Sequence, residues 1–247
     1  DANGATVNIK TRINNATDKA VNVIVKSIIY DADNKPVAEA SLPKIILKNL
    51  QTEIQQTLTV KTPLLWSVDN PVLYHIVTTV STKQAIFDEY DTPIGIRSFD
   101  FDAEKGFILN GKQLKIKGVC NHHDLGCLGA AINTRALERQ LELLKEMGCN
   151  SIRTSHNPPA PELLDLCDKM GFIVMDEAFD MWKKKKTDFD YGLDFDQWHK
   201  IDLQDMVLRD RNHPSVFIWS IGNEILEQWD STGISIAREL AGIVREL

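Results

Sequence analysis

The sequence predicts a multi-domain chain of two classes, a β-sandwich over residues 1–100 and a series of parallel βα units over 101–247. Three observations carry this. The N-terminal part alternates apolar and polar residues between turn formers, the C-terminal part alternates short apolar runs with helix-period segments, and polar side chains gather after each of those apolar runs. With 247 residues and 43% apolar content, the chain is long enough to build a core for each part.

In the N-terminal part, Val7 and Ile9, then Val21, Val23 and Val25, then Ile54, Leu58 and Val60, then Tyr74, Ile76 and Val80 fall at even spacings. A period of two marks strands with one buried face. Asn14-Asn15, Asp33-Asn34-Lys35-Pro36 and Asp69-Asn70-Pro71 separate them as turns, and no helical stretch intervenes. Stacked antiparallel sheets are the economical solution.

After Gly106 four βα units can be counted. The first strand is expected over 113–120, with a helix over 134–147 capped by Asn133 and stopped by Gly148. The second strand, 149–154, leads through Ser155-His156-Asn157-Pro158-Pro159 into a helix over 161–170 that Gly171 ends. The third, 172–175, runs into Asp176-Glu177-Ala178-Phe179-Asp180 and then a helix over 197–209. The fourth, 216–221, ends in Gly222-Asn223-Glu224 before a helix over 234–247. No glycine-rich phosphate turn follows the first strand, which speaks against a dinucleotide site. Polar clusters at the C-terminal ends of successive parallel strands suit the first four units of a (β/α)8 TIM barrel.

Charge narrows the partners. A net charge of −7 without a clustered basic face argues against nucleic acid. The one basic run, Lys183 to Lys186, lies among aspartates and reads as a solvated loop, with recruitment of an anionic substrate as the other reading. No stretch approaches the roughly 20 apolar residues of a membrane span, and the opening DANGATVNIK has no leader pattern, so no membrane partner is expected. The compartment is left open between cytoplasm, periplasm and exterior. Cys120, Cys127, Cys149 and Cys167 match no metal framework and are expected as buried free thiols. Asn15-Ala16-Thr17 is a sequon too short to carry weight.

The chemistry-bearing residues are Asn121, His122, His123 and Asp124 after strand one, Arg153, Ser155, His156 and Asn157 after strand two, Asp176, Glu177 and Asp180 after strand three, and Asn223 and Glu224 after strand four. Fork-shaped and bidentate hydrogen-bonding groups beside aromatic platforms, here Trp182, Trp219 and Trp229, suit a polyhydroxylated carbohydrate substrate. Asn223, His122, Arg153, His156 and Asp124 are the residues expected to bind it. Glycoside cleavage needs one carboxyl to protonate the leaving oxygen and a second to attack or to activate water. Glu224 fits the first role, standing where strand becomes loop, and its competing reading is a helix first-turn residue beside the dipole. The histidines lack metal-ligand spacing, so no metal is assigned, and His213 falls at the opposite end of the strands in a structural role.

At these residues the sequence resembles glycoside hydrolase family two, which includes β-galactosidases, β-glucuronidases and β-mannosidases. LLWSVDNPVLY (64–74) and GIRSFDF (95–101) look like that family's immunoglobulin-like β-sandwich and its passage into the barrel. KGVCNHHDLGCLG (117–129), IRTSHNPP (152–159), MDEAFDMW (175–182) and DRNHPSVFIWSIGNE (210–224) look like its first four barrel strands. The resemblance implies a retaining hydrolase acting by double displacement, with Glu224 as acid/base, Asn223 touching the sugar 2-hydroxyl, and His122, Arg153 and His156 lining the same subsite. The wording NHHDLGCLGA is most like the β-galactosidases.

The resemblance also implies a nucleophilic glutamate on barrel strand seven and a jelly-roll domain ahead of the sandwich, and neither is recognisable here. Glu177 is the only substitute nucleophile on an adjacent strand, and as Asp176-Glu177 it reads as structural. The 247-residue piece alone is therefore expected to be inactive, with an open half barrel that either pairs two copies as a homo-oligomer or leaves the fold marginally stable. No cofactor is implied. A divalent cation accompanies some family members, but no acidic ligands for one are clear after DEAFDMW. A non-catalytic carbohydrate- or protein-binding scaffold is the competing function, and a metal-dependent hydrolase is a third. A degenerate scaffold has no reason to keep Asn223, Glu224, His122, Arg153 and His156 together.

Overall fold

The alternation of the N-terminal part becomes two antiparallel sheets. In the computed structural model, which describes residues 3–247, strands β1 (Gly4–Asn14), β2 (Val21–Tyr30), β3 (Pro36–Ile46), β4 (Gln51–Lys61), β5 (Tyr74–Ser81) and β6 (Ile86–Ile94) pair as β1–β4 and as β3–β2–β5–β6. Alternate residues of β2 (Val23, Val25, Ile29) and β4 (Ile54, Leu58, Val60) are buried and meet Ile46, Tyr74 and Ile76 in the core of a sandwich. Two inward positions are polar and paired. Ser27 Oγ donates to Gln56 Oε1 at 2.7 Å, and Gln56 Nε2 donates to the Val25 and Ala40 carbonyls, each at 3.2 Å, which ties the two sheets together. Left unpaired, such groups would cost about 1–3 kcal/mol each. The sequon asparagine is also inward: Asn15 is buried, and its Nδ2 donates to the carbonyls of Lys19 (2.8 Å) and Ile46 (3.1 Å).

A second compact unit begins at Phe99. It opens with a three-stranded antiparallel sheet, β7 (Phe99–Asp102), β8 (Gly106–Leu109) and β9 (Lys112–Gln113). This corrects the strand expected over 113–120. Gln113 pairs back on Ile108 because Asn110 and Gly111 take φ of 51° and 75°, the two positive values that a two-residue hairpin turn requires. The first parallel strand is β10 (Gly118–His122), followed by α1 (Thr134–Glu146), β11 (Ser151–Ser155), α2 (Pro161–Met170), β12 (Ile173–Glu177), α3 (Phe195–Asp210), β13 (Val216–Ser220) and α4 (Ser231–Glu246). The sheet runs β10–β11–β12–β13, parallel throughout, as four successive βα units of a barrel.

Helix ends follow their signals. The Asn133 side chain accepts the Ala136 N–H at 3.0 Å, and Gly171 closes α2 with φ 72°, a value open to glycine at no steric cost. One sheet face is covered by helices, with Ile152, Val174 and Val216 packed on Leu137 and Leu141 of α1 and on Leu163, Leu164 and Cys167 of α2. A second cluster joins Leu203, Met206 and Val207 of α3 to Ile236 and Leu240 of α4, and takes up Phe179, Trp182 and Ile225 from the loops after β12 and β13. Truncating a buried leucine in such a cluster costs about 2–5 kcal/mol, so these loops are anchored from behind. The four cysteines are free, but Cys120 and Cys127 are exposed, contrary to expectation. Cys120 alternates with Val119 and so lies on the sheet face away from the helices. Among the described residues, no helix is long and apolar enough to cross a membrane.

Candidate active site

Strand register decides which polar side chains meet. Val119, Ile152 and Val174 stand level in the sheet and belong to the helix-packed face. Period-two alternation then turns Arg153, His122, Glu177 and Ser220 to the opposite face, with Glu177 level with Ser220. The strands extend to His122, Ser155 and Glu177, so much of the chemistry expected after the strands is carried on their last residues.

Glu177 is fully buried and is the hub of the cluster. Its Oε2 accepts Arg153 Nε at 2.9 Å, Arg153 Nη2 at 2.7 Å and Ser220 Oγ at 2.5 Å, while Oε1 meets His156 Nδ1 at 2.6 Å. The Glu177 N–H donates to Thr154 Oγ1 at 2.9 Å. A carboxylate opposite Nδ1 holds a proton on that nitrogen, which leaves His156 Nε2 for a ligand. The hydrogen bonds to Glu177 outweigh burial and raise the Arg153 guanidinium above its ordinary range. His122 stands edge-on to the His156 ring at 5.2 Å.

Arg153 also reaches Asn223, its Nη2 donating to Oδ1 at 3.0 Å. Asn223 Nδ2 in turn donates to Asp180 Oδ1 at 2.8 Å, and the Asn223 N–H donates to the Phe179 carbonyl at 2.9 Å. The amide is therefore fixed from both ends in one orientation. Burial pushes the Asp180 carboxyl up, but hydrogen bonds from Asn223 and Lys186 outweigh it and hold the group below the usual range.

Glu224 follows with φ 45°, in the left-handed region that costs a non-glycine residue about 1–3 kcal/mol. Its side chain is exposed and has no hydrogen-bond or ion-pair partner among the described residues. The first-turn reading does not hold: the short 3₁₀ helix Leu226–Trp229 has Ile225 at its N-cap, and α4 is capped by Asp230, whose side chain accepts the Thr232 N–H at 2.9 Å.

The remaining expected residues are distributed differently. Asp124 is exposed, and its Oδ1 accepts the Gly126 N–H at 2.5 Å, which organises its own loop; among the described residues no hydrogen bond joins it to Arg153, Glu177 or Asn223. Trp182 is 5% exposed, with Nε1 donating to the Ile221 carbonyl at 2.7 Å, and Trp219 packs against both core clusters, so neither is a free platform. Trp229 is 84% exposed. His213 lies before β13, and its Nδ1 meets Asp168 Oδ2 at 2.6 Å. Burial alone would lower the imidazole, but Asp168 wins and raises it. Sequence reasoning missed Ser220 and Lys186 as members of the cluster. Among the described residues no group of three or more His, Cys, Asp or Glu is arranged to hold a metal ion.

Asp176, beside Glu177 in sequence, points to the helix side and is fully buried. Its Oδ1 accepts Thr154 Oγ1 at 3.3 Å, and its Oδ2 has no donor in reach, so a proton on Asp176 lets it donate to the facing Asp210 carboxylate. Burial, then Asp210, pushes the Asp176 carboxyl up to about 8 from an ordinary 3.8. Between those values the folded chain keeps a proton that the unfolded chain releases. The stability that Asp176 contributes therefore falls as pH rises from 4 towards 8. Asp176→Asn is expected to flatten this slope, read from denaturant midpoints at about pH 5 and about pH 8. Equal slopes in the two proteins would show that Asp176 is ionised in the fold.

Family models match both units: "Glycosyl hydrolases family 2" over residues 1–97 and "Glycosyl hydrolases family 2, TIM barrel domain" over 102–244. The chain is 57% identical over 245 residues to the beta-galactosidase BoGH2A of Bacteroides ovatus, covering 99% of this chain and 29% of that protein. It is 45% identical over 179 residues to a putative beta-glucuronidase of Formosa agariphila, covering 72% of this chain and 17% of that one. A crystal structure of a glycosyl hydrolase family 2 member from Bacteroides cellulosilyticus superposes with a TM-score of 0.96 at 46% identity, over 100% of this chain and 32% of its own. The chain thus spans less than a third of the length of these relatives. With two family models covering its two units and a fold shared end to end with a family member, the chain belongs to glycoside hydrolase family 2, a family of β-glycosidases.

Proposed function

We propose that these residues carry the acid/base half of a retaining, β-galactosidase-like active site, with Glu224 as the catalytic acid/base. The observation that carries this reading is the contrast among the carboxylates: both oxygens of Glu177 are taken by fixed donors and Asp180 is held on Oδ1 by Lys186 and Asn223, whereas Glu224, next to the immobilised Asn223 amide, has no partner among the described residues. A group that must give and take a proton has to be unencumbered and within reach of the reacting oxygen. In the first displacement Glu224 protonates the departing glycosidic oxygen, and in the second it takes a proton from water. Asn223 offers its remaining N–H to the sugar 2-hydroxyl, and His156 Nε2, Arg153 and His122 hold neighbouring hydroxyls.

Retention needs a second carboxyl about 5–5.5 Å from the first. Glu177 cannot serve, because attack would strip the buried charge from Arg153, His156 and Ser220 at once. The nucleophile is accordingly assigned outside these 247 residues. The 57% identical relative, named a beta-galactosidase, supports galactose as the sugar.

The test is a chimera in which this chain replaces the 245 matched residues of the Bacteroides ovatus protein. The chimera is expected to hydrolyse nitrophenyl β-galactoside in preference to the β-glucuronide and β-mannoside, and the isolated chain to hydrolyse none. Turnover by the isolated chain would refute an external nucleophile. A folded but silent chimera would favour the scaffold reading.

A further inference from the structure

The basic run 183–186 is not a uniform solvated patch. Lys183 pairs with Asp196 at 2.6 Å and Lys184 with Asp230, and both side chains remain 50% exposed. Lys186 is only 21% exposed and turns inward. Its Nζ donates to Asp180 Oδ1 at 2.9 Å and to the Asn223 carbonyl at 3.0 Å. The loop that presents it is itself held, because Asp190 Oδ2 accepts the N–H groups of Lys186 (2.6 Å) and Thr187 (2.8 Å), and Asp190 Oδ1 accepts that of Gly192 (2.9 Å).

The carbonyl of Asn223 belongs to the same rigid peptide plane as the nitrogen of Glu224. Turning that plane about its flanking bonds swings the Glu224 side chain. Glu224 also sits at φ 45°, a conformation that persists only where its surroundings impose it. The preceding peptide is pinned by the Asn223 N–H bond to the Phe179 carbonyl. For the peptide that joins Asn223 to Glu224, Lys186 is the one hydrogen-bond partner among the described residues. The same ammonium shares Asp180 Oδ1 with Asn223 Nδ2, so one cation braces both the backbone that carries Glu224 and the amide beside it.

We propose that Lys186 is a positioning residue for Glu224: braced on Asp180, its ammonium fixes the peptide plane from which the Glu224 carboxyl is presented to the departing oxygen. This rests on the reading of Glu224 as the acid. Lys186 touches no reacting atom in this scheme. It acts by holding the donor in line, where a displacement on the order of 1 Å can cost about 100-fold.

The experiment compares kcat/KM of the chimera for dinitrophenyl and phenyl β-galactosides. This parameter reports the steps up to release of the phenol, and the dinitrophenolate leaves with little protonation whereas phenolate needs the acid. Lys186→Met is expected to lower the phenyl value by roughly 10–100-fold and the dinitrophenyl value far less, an attenuated copy of the pattern of Glu224→Gln. Lys186→Arg, which keeps a cationic donor, should recover most of the loss. A partly misfolded protein would lose both substrates equally and would not show this split. If Glu224→Gln discriminates between the substrates and Lys186→Met does not, the positioning role is wrong and the acid assignment stands. If Glu224→Gln itself does not discriminate, the acid assignment falls and the role of Lys186 falls with it.

Discussion

Glu224→Gln is expected to reduce hydrolysis of unactivated β-galactosides by the chimera by about 10²–10⁴-fold, the range typical for loss of a positioned general acid. Glutamine preserves size and polarity but cannot release a proton to the glycosidic oxygen. The fold should be unaffected. Glu224 is exposed and partnerless among the described residues, and substitutions at such positions stay within about 0.5 kcal/mol. Unchanged denaturant midpoints together with collapsed turnover would separate chemistry from folding. Retained activity with a normal midpoint would remove Glu224 from the reaction.

Glu177→Gln should have the largest effect on the structure of the site. The native carboxylate accepts from Arg153, Ser220 and His156 and has no exposed surface. An amide turns one oxygen into a donor, so whichever way it lies, a donor faces Arg153 and Ser220 or faces His156. Breaking a buried ion pair from one side typically costs about 3–5 kcal/mol. Arg153 remains 30% exposed and can recruit water, which places the expected loss at the lower end, about 3 kcal/mol. The Asn223 amide is held by the same Arg153, so substrate affinity should fall as well. A denaturant midpoint equivalent to a change below about 0.5 kcal/mol would show that Glu177 is not the hub.

Much of this site was legible before any coordinates. Gly171 and Asn133 mark helix ends through local backbone rules, and Arg153, His156 and Asn223, expected near the C-terminal ends of the parallel strands, meet around Glu177, while the role of Glu224 belongs to the proposal. What escaped has physical reasons. Asn110-Gly111 is a hairpin signal that outweighs the apolar run after it, so Gln113 belongs to the antiparallel hairpin and not to the first parallel strand. Strands were ended where the apolar residues ended, yet β12 continues through Asp176 and Glu177, and only its register shows that these neighbours face opposite sides. Trp182 looked like a sugar platform, but an aromatic residue beside Gly222 and Phe195 can be buried as readily, and it is. Lys186 could not be told from Lys183 to Lys185, because its partners Asp180 and Asn223 are brought to it by tertiary packing.

The most direct measurement is the anomeric configuration of the product formed by the Glu224→Ala chimera from dinitrophenyl β-galactoside in the presence of azide. The activated leaving group lets the first displacement proceed without an acid, and azide needs no base to attack the glycosyl-enzyme from the face that Glu224 served. The account predicts accelerated turnover and β-galactosyl azide, the product of two inversions. An α-galactosyl azide would mark Glu224 as the nucleophile, and an absence of any azide product would place it away from the reacting atoms.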